Sequence, residues 1–215
     1  MASLTIKVEI LSQTLLGSGE SWGSFIDSDI VYDEYGLPIF PGRRLKGLLR
    51  ESAEEVACML EFGLTNSTFY QQIDSLFGRV NQPSRLRVRN LQVHGVEQAG
   101  KWLQWGFDKF FLSKELVLSS LCDLRTQTKI DENGVAEQGT LRKMRVINKG
   151  LVFEGELEIE DMEEKDRLLM GCACLALKAC GGKRNRGLGE IKCSLCHETR
   201  DLCQEALSAL ERGTI

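Results

Sequence analysis

The run LVFEGELEIEDMEEKDRLLMGCACLALKACGGKRNRGLGEIKCSL, residues 151–195, holds a strand, a helix, a glycine-rich loop and a second strand, and it decides the fold. Leu151, Phe153, Leu157 and Ile159 fall among Glu154, Glu156, Glu158 and Glu160 with period two. That is a strand with one buried face and one solvated acidic face. From Asp161 to Ala179 the spacing turns helical, with Asp161 placed to cap the start and Gly181-Gly182 placed to end it. Alternation returns from Leu188 to Leu195.

Outward from this unit, Leu4, Ile6, Val8 and Ile10 alternate with Thr5, Lys7 and Glu9 as a first strand. The stretch from Gly17-Ser18-Gly19 to Pro41, with Gly23, Gly36 and Pro38, lacks periodicity and reads as a long folded loop. Leu45, Leu48, Leu49, Ala53, Val56 and Leu60 recur at helical spacing, with Pro41-Gly42 ahead of the first turn. A strand is expected over 85–90, a strand-like run from Phe107 to Leu118, a hairpin excursion over Asp123 to Gly139, and a final helix over Leu202 to Leu210. The order strand, helix, strands, strand, helix, strand predicts an α+β, ferredoxin-like antiparallel sheet with helices on one face. The chain reads as one domain with no internal repeat or linker.

The 215 residues, 42% hydrophobic and 27% charged, suffice for one well-buried domain. The longest uncharged apolar run, Leu168 to Leu177, has ten residues, half of the roughly 20 needed for a membrane span. Lys7 and Glu9 interrupt the apolar stretch at the N-terminus, so no signal peptide is read there. Eight cysteines in apolar helical contexts fit a reducing cytoplasm. A net charge of −4 excludes a generic polyanion binder. The charge is segregated: positives gather at 43–50, 79–89, 142–149 and 183–186, negatives at 154–166.

Those clusters supply the candidate chemistry. Arg43, Arg44 and Lys46 open a helix whose backbone N–H groups face the same way, an arrangement suited to a phosphodiester backbone. Gly47, costly within a helix, points to a close approach there. Gly181, Gly182, Gly187 and Gly189 surround Lys183, Arg184, Asn185 and Arg186 in a loop able to cradle phosphate; the GxxxxGK[ST] order of a nucleotide loop is absent. Arg85, Arg87 and Arg89 line one strand face, as phosphate contacts or as partners of neighbouring acids. Arg142, Lys143, Arg145 and Lys149 follow the hairpin excursion. Asp27, Asp29, Asp33 and Glu34 lie on the long loop, able to serve a divalent cation or an attacking hydroxyl, or as ordinary turn acids. Cys193, Cys196, His197 and Cys203 have part of a zinc spacing; without a second pair, buried thiols are the better reading.

The motifs from Gly23-Ser24-Phe25-Ile26-Asp27, through Asp33 to Arg50, are similar to the signature of the CRISPR-associated RAMP superfamily. They most resemble the backbone subunit of type III effector complexes. Leu76-Phe77-Gly78 leading into Ser84 to Val88, Thr126 to Asp131 through Arg145-Val146, and the glycine-rich loop agree in order. The resemblance implies an RRM-type core stacked along a guide RNA beside neighbouring RAMP subunits. It implies guide contacts at Arg43, Arg44, Lys46, Arg50 and Lys183 to Gly189, and a thumb-like insertion over about 123–146 that meets the guide–target duplex. It further implies target-RNA cleavage at Asp27 with Mg²⁺ or a similar cation, leaving a 2′,3′-cyclic phosphate. Arg43-Arg44 stand where the family often has two serines, a type III-D-like feature, and Asp29 competes with Asp27 for the catalytic place. Two alternatives remain: a non-catalytic guide-RNA scaffold, and a repeat-processing endoribonuclease using His94.

Overall fold

The computed structural model describes residues 1–19, 25–60 and 68–213; Gly23 and Ser24 of the family-like motif lie outside them. The elements in chain order are β1 (Ala2–Ile10), α1 (Gly42–Leu60), α2 (Thr68–Phe77), β2 (Leu86–Val88), β3 (Gln92–Val93), α3 (Val96–Asp108), α4 (Lys114–Leu121), β4 (Cys122–Gln127), β5 (Arg142–Ile147), β6 (Val152–Ile159), α5 (Glu164–Ala176), β7 (Ile191–His197), β8 (Arg200–Asp201) and α6 (Leu202–Glu211).

The main sheet has the order β2-β6-β1-β7-β8, with β3 also on β6. β1 runs antiparallel to both β6 and β7, and β2 antiparallel to β6. Two βαβ units therefore interlock: β1-α1-β2 straddles β6, and β6-α5-β7 straddles β1. This is the ferredoxin-like core that the alternating segments specify. Leu4, Ile6, Val8 and Ile10 are fully buried and share the core with Phe153, Leu157, Ile159 and Leu195. Each such side chain contributes roughly 1.5–3 kcal/mol relative to exposure. α5 and α6 approach closely at Gly171, where a Cβ would lie 2.3 Å from the Leu202 carbonyl oxygen and 2.8 Å from Ala206 Cβ. Gly171→Ala must part the helices, and a loss of about 1–3 kcal/mol is expected in urea unfolding.

Two sequence expectations are corrected. The run Phe107 to Leu118 is not a strand: α3 ends at Asp108, a turn follows, and α4 starts at Lys114, with Ser113 Oγ accepting from Leu116 N at 3.2 Å. A short apolar run does not distinguish strand from helix, and here Phe110 and Phe111 are exposed turn residues while Val117 and Leu118 supply the buried face. The second helix spans Glu164–Ala176, not 161–179, and Glu163 rather than Asp161 occupies its N-cap. Asp161 has φ 45°, a conformation a helix cannot continue. The far end stops early because Cys180 N donates to Gly189 O (2.8 Å) and Ile191 N to Lys178 O (2.9 Å), pairing the segment with β7's approach. α2 and α3 had no counterpart in the sequence reading.

β4 and β5 form a separate two-stranded sheet, paired from Cys122↔Ile147 to Gln127↔Arg142. This is the expected hairpin excursion. Its tip turns at Asp131, whose Oδ1 accepts from Asn133 N and Val135 N. Leu124, Ile130, Val135 and Leu141 point outward from it. Among the described residues, no helix is long and apolar enough to cross a membrane.

Candidate nucleic-acid interface

The long loop after β1 is tied to the hairpin. Asp27 N and Ser28 N donate to Lys143 O, and Arg145 N donates to Ser28 O, so residues 27–28 run along β5 as a short extra strand. Two Asp–Arg pairs flank this zipper and differ in character. Asp29 is 3% exposed, its carboxylate takes both oxygens to Arg145 Nη1 (3.0 and 3.1 Å), and Ile30 N adds a third bond. Arg145 also lies over the Tyr32 ring. Asp27 is exposed: Arg142 Nη1 donates to Oδ1 at 2.9 Å and Lys143 N to Oδ2 at 2.8 Å. These bonds, the Lys143 N–H first and then Arg142, hold the Asp27 carboxyl below its usual range. The structure thus separates the two candidate acids. Asp29 braces the loop, and Asp27 faces outward. Asp33 is a turn residue, its Oδ1 accepting from Tyr35 N and Leu37 N.

Asp27, Arg44, Gly181 and Gly182 line one cleft of about 500 Å³ together with Gly17 and Leu48, and the Arg145-bound Asp29 lies in its wall. Three motifs far apart in sequence meet there. Arg44 is aimed by its bond to Gly17 O (2.8 Å). The glycine-rich loop is seated by Gly182 N on Leu15 O and Gly189 N on Gln13 O. Gly189 has φ 83°, and a Cβ there would lie 2.0 Å from the Cys180 carbonyl oxygen, so this loop cannot be built without it. Arg184, Asn185 and Arg186 form an exposed 3₁₀ turn. Lys183 Nζ reaches Gln127 Oε1 on β4 at 2.7 Å, joining the loop to the hairpin. Partial burial, then Arg186 and Arg125, lowers its pKa, while Asp27 acts in the opposite sense. Arg125 was missed in the sequence because a single base within a polar, turn-rich stretch carries no pattern.

Arg43 is exposed at the same helix start. Nothing lies within 4 Å of a Cβ built at Gly47, so no described part of the chain makes the close approach that this glycine suggested. The remaining bases are turned elsewhere. Lys46 Nζ donates to Ser84 Oγ (2.5 Å) and Leu86 O (2.8 Å), tying α1 to β2; burial and then Arg50 lower its pKa. Arg50 binds Glu54, Asp74 and Gly78 O. Arg85 forks onto the buried Asp166 at 3.0 and 3.1 Å. Arg87 pairs with Glu160 and Arg89 with Glu158.

The outer face of the sheet carries Thr5, Lys7 and Glu9 from β1 opposite Glu156, Glu154 and Val152 from β6, and Glu158 opposite Ser3. RRM modules bind RNA through aromatic rings on this face. Here the outward positions of β1 and β6 carry no such ring, and of their carboxylates Glu154 is met by Lys7 and Glu158 by Arg89. His94 pairs with Glu154 on this side.

The divalent ion expected at Asp27 does not find a protein cage. Among the described residues, no three His, Cys, Asp or Glu side chains converge as a ligand set. Both Asp27 oxygens face N–H donors, so these residues do not fit a resident ion. The thiols of Cys180 and Cys193 are pushed up to about 12, burial first, and are protonated near neutrality.

Solved structures share this architecture. A chain of the type III-B Cmr-beta complex bound to cognate target RNA, solved by cryo-EM, matches with a TM-score of 0.65 at 13% identity, over 95% of this chain and 98% of that one. A chain of the apo type III-B Cmr-beta complex matches with a TM-score of 0.61 at 14% identity, over 89% and 96%. Among curated proteins, no relative matches the sequence. The family model of the RAMP superfamily matches residues 7–192. With that match spanning most of the chain, and with the ferredoxin-like core in place, the protein belongs to the RAMP superfamily.

Proposed function

We propose that this chain is a guide-RNA-binding backbone subunit of a type III CRISPR effector complex, and that it cuts the paired target RNA through Asp27. The observation that carries the reading is the single cleft in which Asp27 meets Arg44 and the Gly181-Gly182 turn, with Arg184 and Arg186 exposed beside it. Guanidiniums and a glycine-rich turn fit a continuous phosphodiester strand; the expected free N–H groups of the α1 start do not add to them, because Gly42 N donates to Asn90 Oδ1 and Arg44 N and Leu45 N donate to Pro41 O. The two structural neighbours from type III-B complexes support the assembly context. Neighbouring RAMP subunits and guide-paired target RNA are the partners this implies. The hairpin, with its outward Leu124, Ile130, Val135 and Leu141, is the element suited to press into the duplex.

In this reading Asp27 orients the 2′-hydroxyl of the target nucleotide toward its own phosphate. Lys143 N holds the carboxylate plane from the backbone side. The cleft bases fix the guide and thereby the register of its target.

Guide affinity tests the binding half. Arg44→Ala and Arg186→Ala should each weaken guide binding regardless of sequence and lower the slope of log K against log salt by about 0.7 per lost contact. Arg87→Ala, already paired with Glu160, should leave the slope unchanged. An unaltered slope in Arg44→Ala and Arg186→Ala contradicts the assignment. Gly47→Ala, at an open helical position, should stabilise the free chain by about 0.4–1 kcal/mol and weaken guide binding by sterically blocking the strand.

A further inference from the structure

The Asp27 site lacks a resident-ion cage but contains a cation of its own, the Arg142 guanidinium on Oδ1. We propose that Arg142 is the electrophile of this site: when RNA binds, its guanidinium transfers from Asp27 Oδ1 to a non-bridging oxygen of the phosphate to be cut, freeing Oδ1 to accept the adjacent 2′-hydroxyl. This rests on the reading of Asp27 as the cutting acid.

Three features of the geometry support the exchange. The Arg142 and Asp27 side chains are 67% and 37% exposed, and exposed pairs are the weakest ion pairs, so this one opens at little cost. Asp27 does not swing away when it opens, because Lys143 N donates to Oδ2 and Asp27 N donates to Lys143 O. The buried Asp29–Arg145 pair anchors the same two segments from beneath. A guanidinium also matches phosphate geometry with two parallel donors, which a single carboxylate oxygen does not fully use. The released group therefore gains by moving to the phosphate.

The step is a transesterification. The 2′-oxygen bonds to phosphorus as the bond to the 5′-oxygen breaks. The hydroxyl proton passes to solvent water, and the leaving 5′-oxygen takes a proton from solvent water. The products are a 2′,3′-cyclic phosphate and a 5′-hydroxyl, with no net consumption of water. Arg142 keeps its protons and stabilises the charge that builds on the phosphoryl oxygens.

The guide-loaded complex carrying wild-type, Arg142→Ala or Asp27→Ala subunits provides the test, in two arms. In single-turnover cutting, Arg142→Ala should be slower by about 100-fold or more, and guanidinium chloride should restore at least part of the rate where sodium chloride of equal strength does not. Asp27→Ala should show no such rescue. Arg142→Ala cutting at the wild-type rate, or equal rescue of both variants, overturns the proposal.

The second arm needs no cutting. A target with a 2′-deoxy nucleotide at the cut site and one neutral methylphosphonate there should bind wild type about tenfold more weakly than its phosphate counterpart, and Arg142→Ala should bind the two alike. Discrimination that survives in Arg142→Ala overturns the proposal even if Asp27→Ala abolishes cutting. Asp27→Ala that cuts normally, with discrimination dependent on Arg142, removes the Asp27 reading and leaves the phosphate contact standing.

Discussion

Arg85→Ala is expected to cost the fold about 3–5 kcal/mol, because it strands a buried charge. Asp166 is 0% exposed. Arg85 meets both of its oxygens, Gln72 Nε2 adds a bond at 3.2 Å, and Glu163 N one at 3.0 Å. The Arg85 guanidinium also donates to the Glu160 and Asp161 carbonyls. With Arg85 gone, a desolvated carboxylate keeps, among the described residues, two neutral donors and no countercharge. Against a total stability of about 5–15 kcal/mol, the loss is large enough to lower the urea midpoint markedly. Arg85→Leu combined with Asp166→Asn should recover much of it, since that pair leaves no buried charge. An Arg85→Ala chain with wild-type stability and weakened guide binding would instead make Arg85 a phosphate contact.

The second large effect is expected at Arg145. Arg145→Ala leaves Asp29 buried with the Ile30 N–H as its remaining partner among the described residues, again at about 3–5 kcal/mol. Here the cost falls on the junction between the long loop and β5, where Asp29 and Arg145 sit at its centre. Amide exchange should rise at residues 26–30 and 142–146 while β1 and β6 stay protected. Target cutting should fall with it, because Asp27 loses its placement although Arg145 does not face the cleft. Asp27→Ala, by contrast, removes an exposed side chain and should leave exchange at β5 close to wild type except at Lys143 N, which loses its acceptor. Equal exchange in Arg145→Ala and wild type would contradict the bracing role of the buried pair.

The strands and helices that bury one clean face were legible in the sequence. β1, β6 and β7 alternate because each has one face against the helices, and the order of strands and helices along the chain pointed to the ferredoxin-like topology. The α3–α4 region was not legible. Trp102, Trp105, Phe110 and Phe111 are exposed, so its apolar residues do not mark an inner face and period-based reading fails. The cleft was legible as three separate motifs, since a glycine-rich turn, a basic helix start and a loop acid each carry local signals. Which bases remain available for RNA was not. Arg43 and Arg186 differ from Arg50 and Arg85 in what folds against them, and the partners, Asp74 and Asp166, lie 24 and 81 residues away in the chain. The same holds for Asp27 and Asp29: two residues apart on one loop, they are divided by burial and by partner, Asp29 closed onto Arg145 and Asp27 held at the surface by Arg142 and Lys143 N.

The most direct test of the central claim is single-turnover cutting of a labelled complementary RNA by the guide-loaded complex in Mg²⁺, comparing wild type with Asp27→Ala. Cutting lost in Asp27→Ala, with guide and target binding retained and wild-type products ending in a 2′,3′-cyclic phosphate, is the predicted result. Cutting at the wild-type rate in Asp27→Ala, or no cutting by the wild-type complex, would contradict it and leave the chain a guide-RNA scaffold.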